Sequence, residues 1–441
     1  MSRLKRRDWL RIAAAGAGGL SCSGWLEALA ADAAANPQRK RACILLWMNG
    51  GPSQMDTFDL KPGHANGGSY QAIDTAAPGV RISEHLPQVA KHMKRLAIVR
   101  SMSTPEGDHG RAAYLMRTGN RPQAPIQFPS LGAIVSKETG RSDSELPNYV
   151  SIAPTRFSEQ DADSAGYLGA AHTPLLVGEN ADQGVTNRYE DSLKVDDLQS
   201  PAEIGPVRTA SRARLLKDLD QRFAKAHPGE ATHSRATAYE RAFRLMRSPA
   251  VRAFNLEEEK AAVREHYGRN IFGQGCLLAR RLVERGVPFV EVSLGGVAEV
   301  GNWDTHQHNF DTIKTLSGQL DPAWGSLMAD LDERGLLDST LIVWMGEFGR
   351  TPRINGQVGR DHFPRAWSVV LGGGGIKGGQ VVGKTSASGG SVEERPVSVP
   401  DLMATLCQAL GIDHLKKNMS NIGRPIRIVE KDAKPLTEVL A

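Results

Sequence analysis

The residues most suited to chemistry lie in four short stretches. "NWDTHQHNF" places Asp304, His306 and His308 within five residues. Carboxylates and neutral imidazoles are ligands for divalent ions, so this segment reads as part of a metal site. A surface aspartate with two solvated histidines is the plain alternative. "EFGRTPRINGQVGRDHFP" (347–364) carries Glu347, Arg350, Arg353, Asp361 and His362 in a run too rich in Gly and Pro for a regular element. Glu347, Asp361 and His362 are further candidate ligands. Arg350 and Arg353 are candidate substrate contacts, or simply solvated. "GDHGRAAYLMRTG" puts Asp108, His109 and Arg111 at the start of a helical pattern. There the helix amides favour anions and Arg111 adds an anion-binding fork. Asp108 is also a plausible helix cap. A polar residue placed like His109 is expected to be exposed and not packed. Finally, Asn49 and the following "PSQMDTFD", with Ser53 and Asp56 as further candidate substrate contacts, form a fourth group.

Elements must bring these stretches together. Apolar runs at 42–51, 95–101, 146–152, 288–296, 339–346 and 366–375 read as strands. Helical patterns fall at 110–119, 130–140, 209–228, 232–248, 257–285, 309–336 and 399–412. Ser130 is the expected cap of the second. Strands alternating with helices predict an α/β fold, a doubly wound and mostly parallel sheet. The strand-poor block at about 200–285 reads as a helical insertion. In open α/β sheets ligands bind beyond the carboxyl ends of the strands. All four chemical stretches begin just past a predicted strand, and four of the twelve histidines fall in them. The expectation is one shared site. Asp304, His306 or His308, Glu347 or Asp361, and His362 should converge on it, with Asp361 or Arg360 able to orient the imidazoles. Zinc, calcium and manganese are the ions considered.

The chain opens "MSRLKRRDWLRIAAAGAGGLSCSGWLEALAADAAA". A basic head with Arg6-Arg7, a short Gly-containing apolar run and small residues match a twin-arginine export leader over 1–36. The apolar run is short for a membrane span. The expected location is periplasmic or otherwise extracytoplasmic, with no stable span in the mature protein and the twin-arginine machinery as export partner. The formal charge is +5; residues 1–30 supply +3 of it and leave +2 for the rest. No basic run with interleaved aromatics occurs, so nucleic acid is excluded as a partner. Cys43, Cys276 and Cys407 sit in apolar surroundings and read as buried thiols. No phosphate-cradle motif of the P-loop type is found.

Together, "LLWMNGGPSQMDTFDLKP", "GDHGRAAYLMRTG", "SAGYLGAAHTPLLVG", "NWDTHQHNF", the 347–364 loop and "PVSVPDLMATLCQALGI" resemble the bacterial family catalogued as domain of unknown function 1501. That family resembles the alkaline phosphatase and sulfatase superfamily. The resemblance implies a single α/β domain over 37–441 with metal at the strand ends. It sets Asn49 at the position of the first-strand metal carboxylate and aligns Asp304 and His308 with an Asp-x-x-x-His ligand pair, with His306 competing. It also implies His362 as the last ligand and His109, Arg111 and Asp108 as catalytic candidates. The chain departs from the superfamily where a Cys or Ser nucleophile is usual, because Gly107 falls there, and where Phe348 follows Glu347. Two readings result. One is a metal-dependent hydrolase of phosphate or sulfate esters, free or on a glycan. The other is a non-catalytic binding or scaffold protein that keeps the fold.

Overall fold

The computed structural model describes residues 41–154, 164–178, 193–195, 198, 204–227, 230–296 and 301–441. The expected leader at 1–36 lies outside the described residues. Eight strands form the central sheet. They are β1 (Ala42–Met48), β2 (Leu96–Met102), β3 (Tyr149–Ile152), β4 (Leu175–Val177), β5 (Phe289–Leu294), β6 (Thr340–Met345), β7 (Trp367–Gly373) and β8 (Gln380–Val382). Their order is β8-β2-β7-β6-β1-β5-β3-β4. Every neighbouring pair is parallel except those made by β7, which runs against β2 and β6.

The apolar runs become strands because both sheet faces are covered, which demands near-continuous hydrophobic sequence. Along β1 the side chains alternate between two cores. Ile44, Leu46 and Met48 join one core, and Cys43, Leu45 and Trp47 join the other. Nine α-helices occur among the described residues: α1 (Pro87–Lys91), α2 (His109–Thr118), α3 (Leu131–Glu138), α4 (Pro206–Ala226), α5 (Glu230–Arg247), α6 (Ala261–Tyr267), α7 (Ile271–Glu284), α8 (Asn309–Glu333) and α9 (Val399–Ala409). Helices α7 and α8 fill the first core; α2, α3 and α9 fill the second. The sheet is therefore wound on both faces, as the alternation of elements predicts.

Local chemistry sets the helix ends. Ser130 caps α3 through the Ala133 amide, and Ser398 with Asp401 forms a reciprocal capping box on α9. The single helix expected over 257–285 is divided. Gly268, at φ 89°, ends α6 in a backbone region that glycine favours. Asn270 then caps α7 through the Gly273 amide. Cys43, Cys276 and Cys407 are buried free thiols. Burial pushes the first two thiols far up, out of any reactive range, and Cys407 up to about 12. No described helix is long and apolar enough to cross a membrane.

Candidate metal centre

Strand β6 runs through Gly346 into Glu347, which is fully buried. One of its oxygens, Oε1, accepts from the Gly50 amide at 2.9 Å and meets His109 Nδ1 at 2.6 Å. Gly50, at φ 110°, follows β1, and a Cβ there would strike the Trp303–Asp304 backbone. Only glycine lets these two strand-end loops pass so closely. The loops are also tied by main-chain bonds. The Trp303 amide donates to the Asn49 carbonyl at 3.0 Å, and the Asn49 amide donates to the Leu294 carbonyl at 3.0 Å.

His109 is the first residue of α2, and Asp108 caps that helix through the Arg111 amide at 3.0 Å. The cap and the Glu347 contact leave His109 Nε2 facing Asp304 Oδ2 at 3.3 Å. His362 approaches the same carboxylate from the 347–364 loop, with Nε2 3.2 Å from Asp304 Oδ1. Its Nδ1 lies 2.8 Å from the Gly107 carbonyl. A carbonyl only accepts, so that ring nitrogen carries the hydrogen and Nε2 is the inward atom. His306 completes the set. Its Nε2 is 3.1 Å from Asp304 Oδ1 and 3.1 Å from His362 Nε2, while Nδ1 meets Asp361 Oδ1 at 2.9 Å.

Each of three imidazoles is therefore held from behind by an oxygen and turns the other nitrogen toward one carboxylate. With Nδ1 protonated, neutral rings would set lone pairs against lone pairs and against Asp304. Protons or a cation must fill that space. Without an ion, a proton on His109 meets part of that need. Burial alone would depress His109, but its hydrogen bonds to Asp304 and Glu347 outweigh that and raise it to about 9. Burial pushes Asp304 up, yet His109, His362 and the charge of Arg350 together hold it well below the usual carboxylate range.

A divalent metal fits the same space. His109, Asp304 and His362 each offer a ligand atom, all within 4.8 Å of one another. The back-side oxygens supply the orientation that metal-bound histidines ordinarily receive. Glu347 Oε2 is buried with no hydrogen-bond partner, a polarity that a nearby cation would offset.

Several expected roles change. Glu347, read as a ligand, stands behind His109, and Asp361, read either as a ligand or as a group that orients an imidazole, stands behind His306. Of the two histidines in competition, His306 reaches Asp304; His308 lies in a left-handed turn, at φ 51°, and is exposed. Asn49 acts through its main chain, outside the three-residue cluster. Arg350, read as a substrate contact, is fully buried. It pairs with Asp304 at 2.5 Å and donates to the Gly50 and Gly51 carbonyls. Ser53 and Asp56 are also fully buried. Asp56 accepts from Ser53 Oγ at 2.5 Å, Asn309 Nδ2 at 3.0 Å and Arg360 Nε at 2.7 Å. Arg360 is thus spent on Asp56 and does not orient an imidazole. Arg111 commits Nε and Nη2 to the buried Glu106, at 2.9 and 2.5 Å. Arg353 is exposed, and so is Arg111, although Glu106 holds its guanidinium. His109, expected to be exposed, is packed: its ring lies 4.8 Å from Phe348 and 4.4 Å from His362. The Gly107 carbonyl was not foreseen, because a main-chain acceptor leaves no mark in residue type.

Compared with protein families, residues 40–440 match the one described as "Protein of unknown function (DUF1501)". The chain belongs to that family. No curated protein matches it significantly. Solved structures similar to this family member include the PsFucS1 sulfatase from Pseudoalteromonas sp., at 14% identity and TM-score 0.38, covering 88% of this chain and 72% of that one. A protein in the alkaline phosphatase superfamily from Vibrio parahaemolyticus shows 10% identity and TM-score 0.41, covering 86% and 68%. The phosphonate monoester hydrolase of Agrobacterium radiobacter shows 14% identity and TM-score 0.37, covering 91% and 77%.

Proposed function

We propose that this protein is an exported, metal-dependent hydrolase of phosphate or sulfate esters, free or carried on a glycan. The observation that carries this reading is the convergence of His109 Nε2 and His362 Nε2 on Asp304, each ring fixed from behind. His109, Asp304 and His362 would hold the ion, with His306 beside them. The imidazole-rich set suits zinc or manganese better than calcium, which takes six to eight oxygens. A bound ion of that kind supplies Lewis acidity and lowers the pKa of its water. The chain itself supplies placement. Glu347, Gly107 and Asp361 set the three rings, and Arg350 fixes Asp304. The N-terminal end of α2 faces the same point and favours an anionic group.

The test is turnover of a panel of aryl phosphate, phosphonate and sulfate esters by metal-free and zinc- or manganese-loaded protein. Metal-dependent turnover that is lost in Asp304→Asn supports the proposal. A second reading has its own observation. Gly107 stands where the superfamily resemblance would put a nucleophile, and its carbonyl is committed to His362. Tight metal binding with no turnover of any ester would favour the binding or scaffold role.

Export rests on the Arg6-Arg7 leader. Replacing both arginines by lysine should leave the precursor in the cytoplasm. Ordinary periplasmic yield from that variant would remove the twin-arginine reading.

A further inference from the structure

The α4–α5 pair stands apart from the cores in both exposure and charge. Nine large apolar side chains are exposed among the described residues, and five of them lie on this pair. Val207 is 80%, Leu215 61%, Leu219 52% and Phe223 50% exposed on α4, and Tyr239 is on α5. The positions of α4 that are half-buried are Thr209, Ala213, Leu216, Asp220 and Ala224. Their spacing marks the face toward α5, against which α4 packs. Leu215, Leu219 and Phe223 follow one another at four-residue intervals, so they make a stripe about 100° round the helix from the face toward α5. Arg208 and Arg212 prolong that stripe toward the N-terminus, and Arg222 borders it; all three are exposed.

The charge is just as uneven. Residues 206–247 hold ten Lys/Arg and four Asp/Glu, a balance of +6 against +5 for the whole chain. The remainder is left at −1, so this pair carries more than all of the excess positive charge.

We infer that the outer face of α4 docks on an anionic lipid surface. A helix with leucine and phenylalanine along one side and arginines around them lies in the interfacial plane of a bilayer, apolar side inward. Arginine stems follow the apolar surface while their heads reach the lipid phosphates. The groove that α4 and α5 share takes in Val207, Arg214 and Tyr239 and leaves out Leu215, Leu219 and Phe223, whose arginine neighbours suit the anionic headgroups of a lipid surface. A second copy is disfavoured by charge, because the arginines flanking one stripe would meet those of the other. The surface is separate from the metal centre, and this inference does not depend on the proposed hydrolysis.

The test is flotation of the purified protein with vesicles of phosphatidylcholine alone and with added phosphatidylglycerol. The expected result is capture by the anionic vesicles, falling roughly tenfold or more in Leu219→Glu/Phe223→Glu and in Arg208→Gln/Arg212→Gln. Both positions face solvent, so thermal midpoints should match the unsubstituted protein and exclude misfolding. No capture by either vesicle overturns the inference. Capture that persists in Leu219→Glu/Phe223→Glu also overturns it, since charge alone would then be acting. Concentration-dependent dimerisation without lipid, abolished by the same substitution, would assign the stripe to self-association instead.

Discussion

Glu347 and His109 form one unit. The carboxylate is fully buried, and His109 Nδ1 and the Gly50 amide are the donors to Oε1. Removing the imidazole strands a buried charge, so His109→Ala should destabilise the fold by roughly 3 kcal/mol. The double variant His109→Ala/Glu347→Gln should recover part of that loss in denaturant titrations. Glu347→Gln alone keeps the shape but weakens the hold on the ring. Metal affinity should fall by about ten- to a hundredfold, read by competition with a chelating dye. His308→Ala should leave that affinity unchanged, because His308 is exposed and outside the cluster. His306→Ala should lower it, and the contrast between the two separates neighbours that sequence spacing cannot. The reason is conformational: the left-handed turn at His308 is a property of the chain path, which residue type does not encode.

At the scale of elements, α2 matters because its first residue is His109. A buried ion pair braces it against the sheet. Arg117 of α2 meets Glu291 of β5 at 2.5 Å, and its guanidinium lies 4.3 Å from the Trp47 ring centroid. Arg117→Ala should cost roughly 3 kcal/mol, whereas Arg117→Met/Glu291→Leu should come close to neutral. Thermal unfolding of both variants checks this. A contact on α3 is pH-sensitive: His172 Nδ1 lies 3.1 Å from Ser136 Oγ. Burial, with Lys137 and Arg241 nearby, lowers His172 from 6.5 to about 4. Above pH 6.5 the ring is neutral whether folded or unfolded and has no linkage effect. As pH falls from 6.5 toward 4 the unfolded chain takes the proton first, so stability is lost across that window. His172→Gln should flatten that part of the profile.

At the scale of the molecule, a metal that binds only the folded site stabilises all of it. With free ion at a hundred times its dissociation constant the gain is about 2.7 kcal/mol. Scanning calorimetry should show the midpoint rising when zinc is added to chelated protein. The rise should vanish in Asp304→Asn. Should the midpoint of unsubstituted protein ignore both chelator and zinc, the cluster is a proton-filled network and not a metal centre.

The sequence by itself determined the elements and the edge at which chemistry gathers. A strand covered on both faces must be apolar throughout, so β1, β5 and β6 announce themselves, and Ser130 and Asp108 mark helix starts by local bonding. It also placed Asp304, His109 and His362 past strand ends, where loops of a parallel sheet converge. Only the tertiary structure decided how the polar groups were shared out. Ser53, Asp56, Arg111 and Arg350 look like site residues until Arg360, Glu106 and the Gly50 and Gly51 carbonyls are seen to occupy them. The tautomer and direction of His362 depend on a carbonyl 255 residues away. Such pairings satisfy buried polar groups across the whole chain, and a pattern read along a few residues carries no information about them.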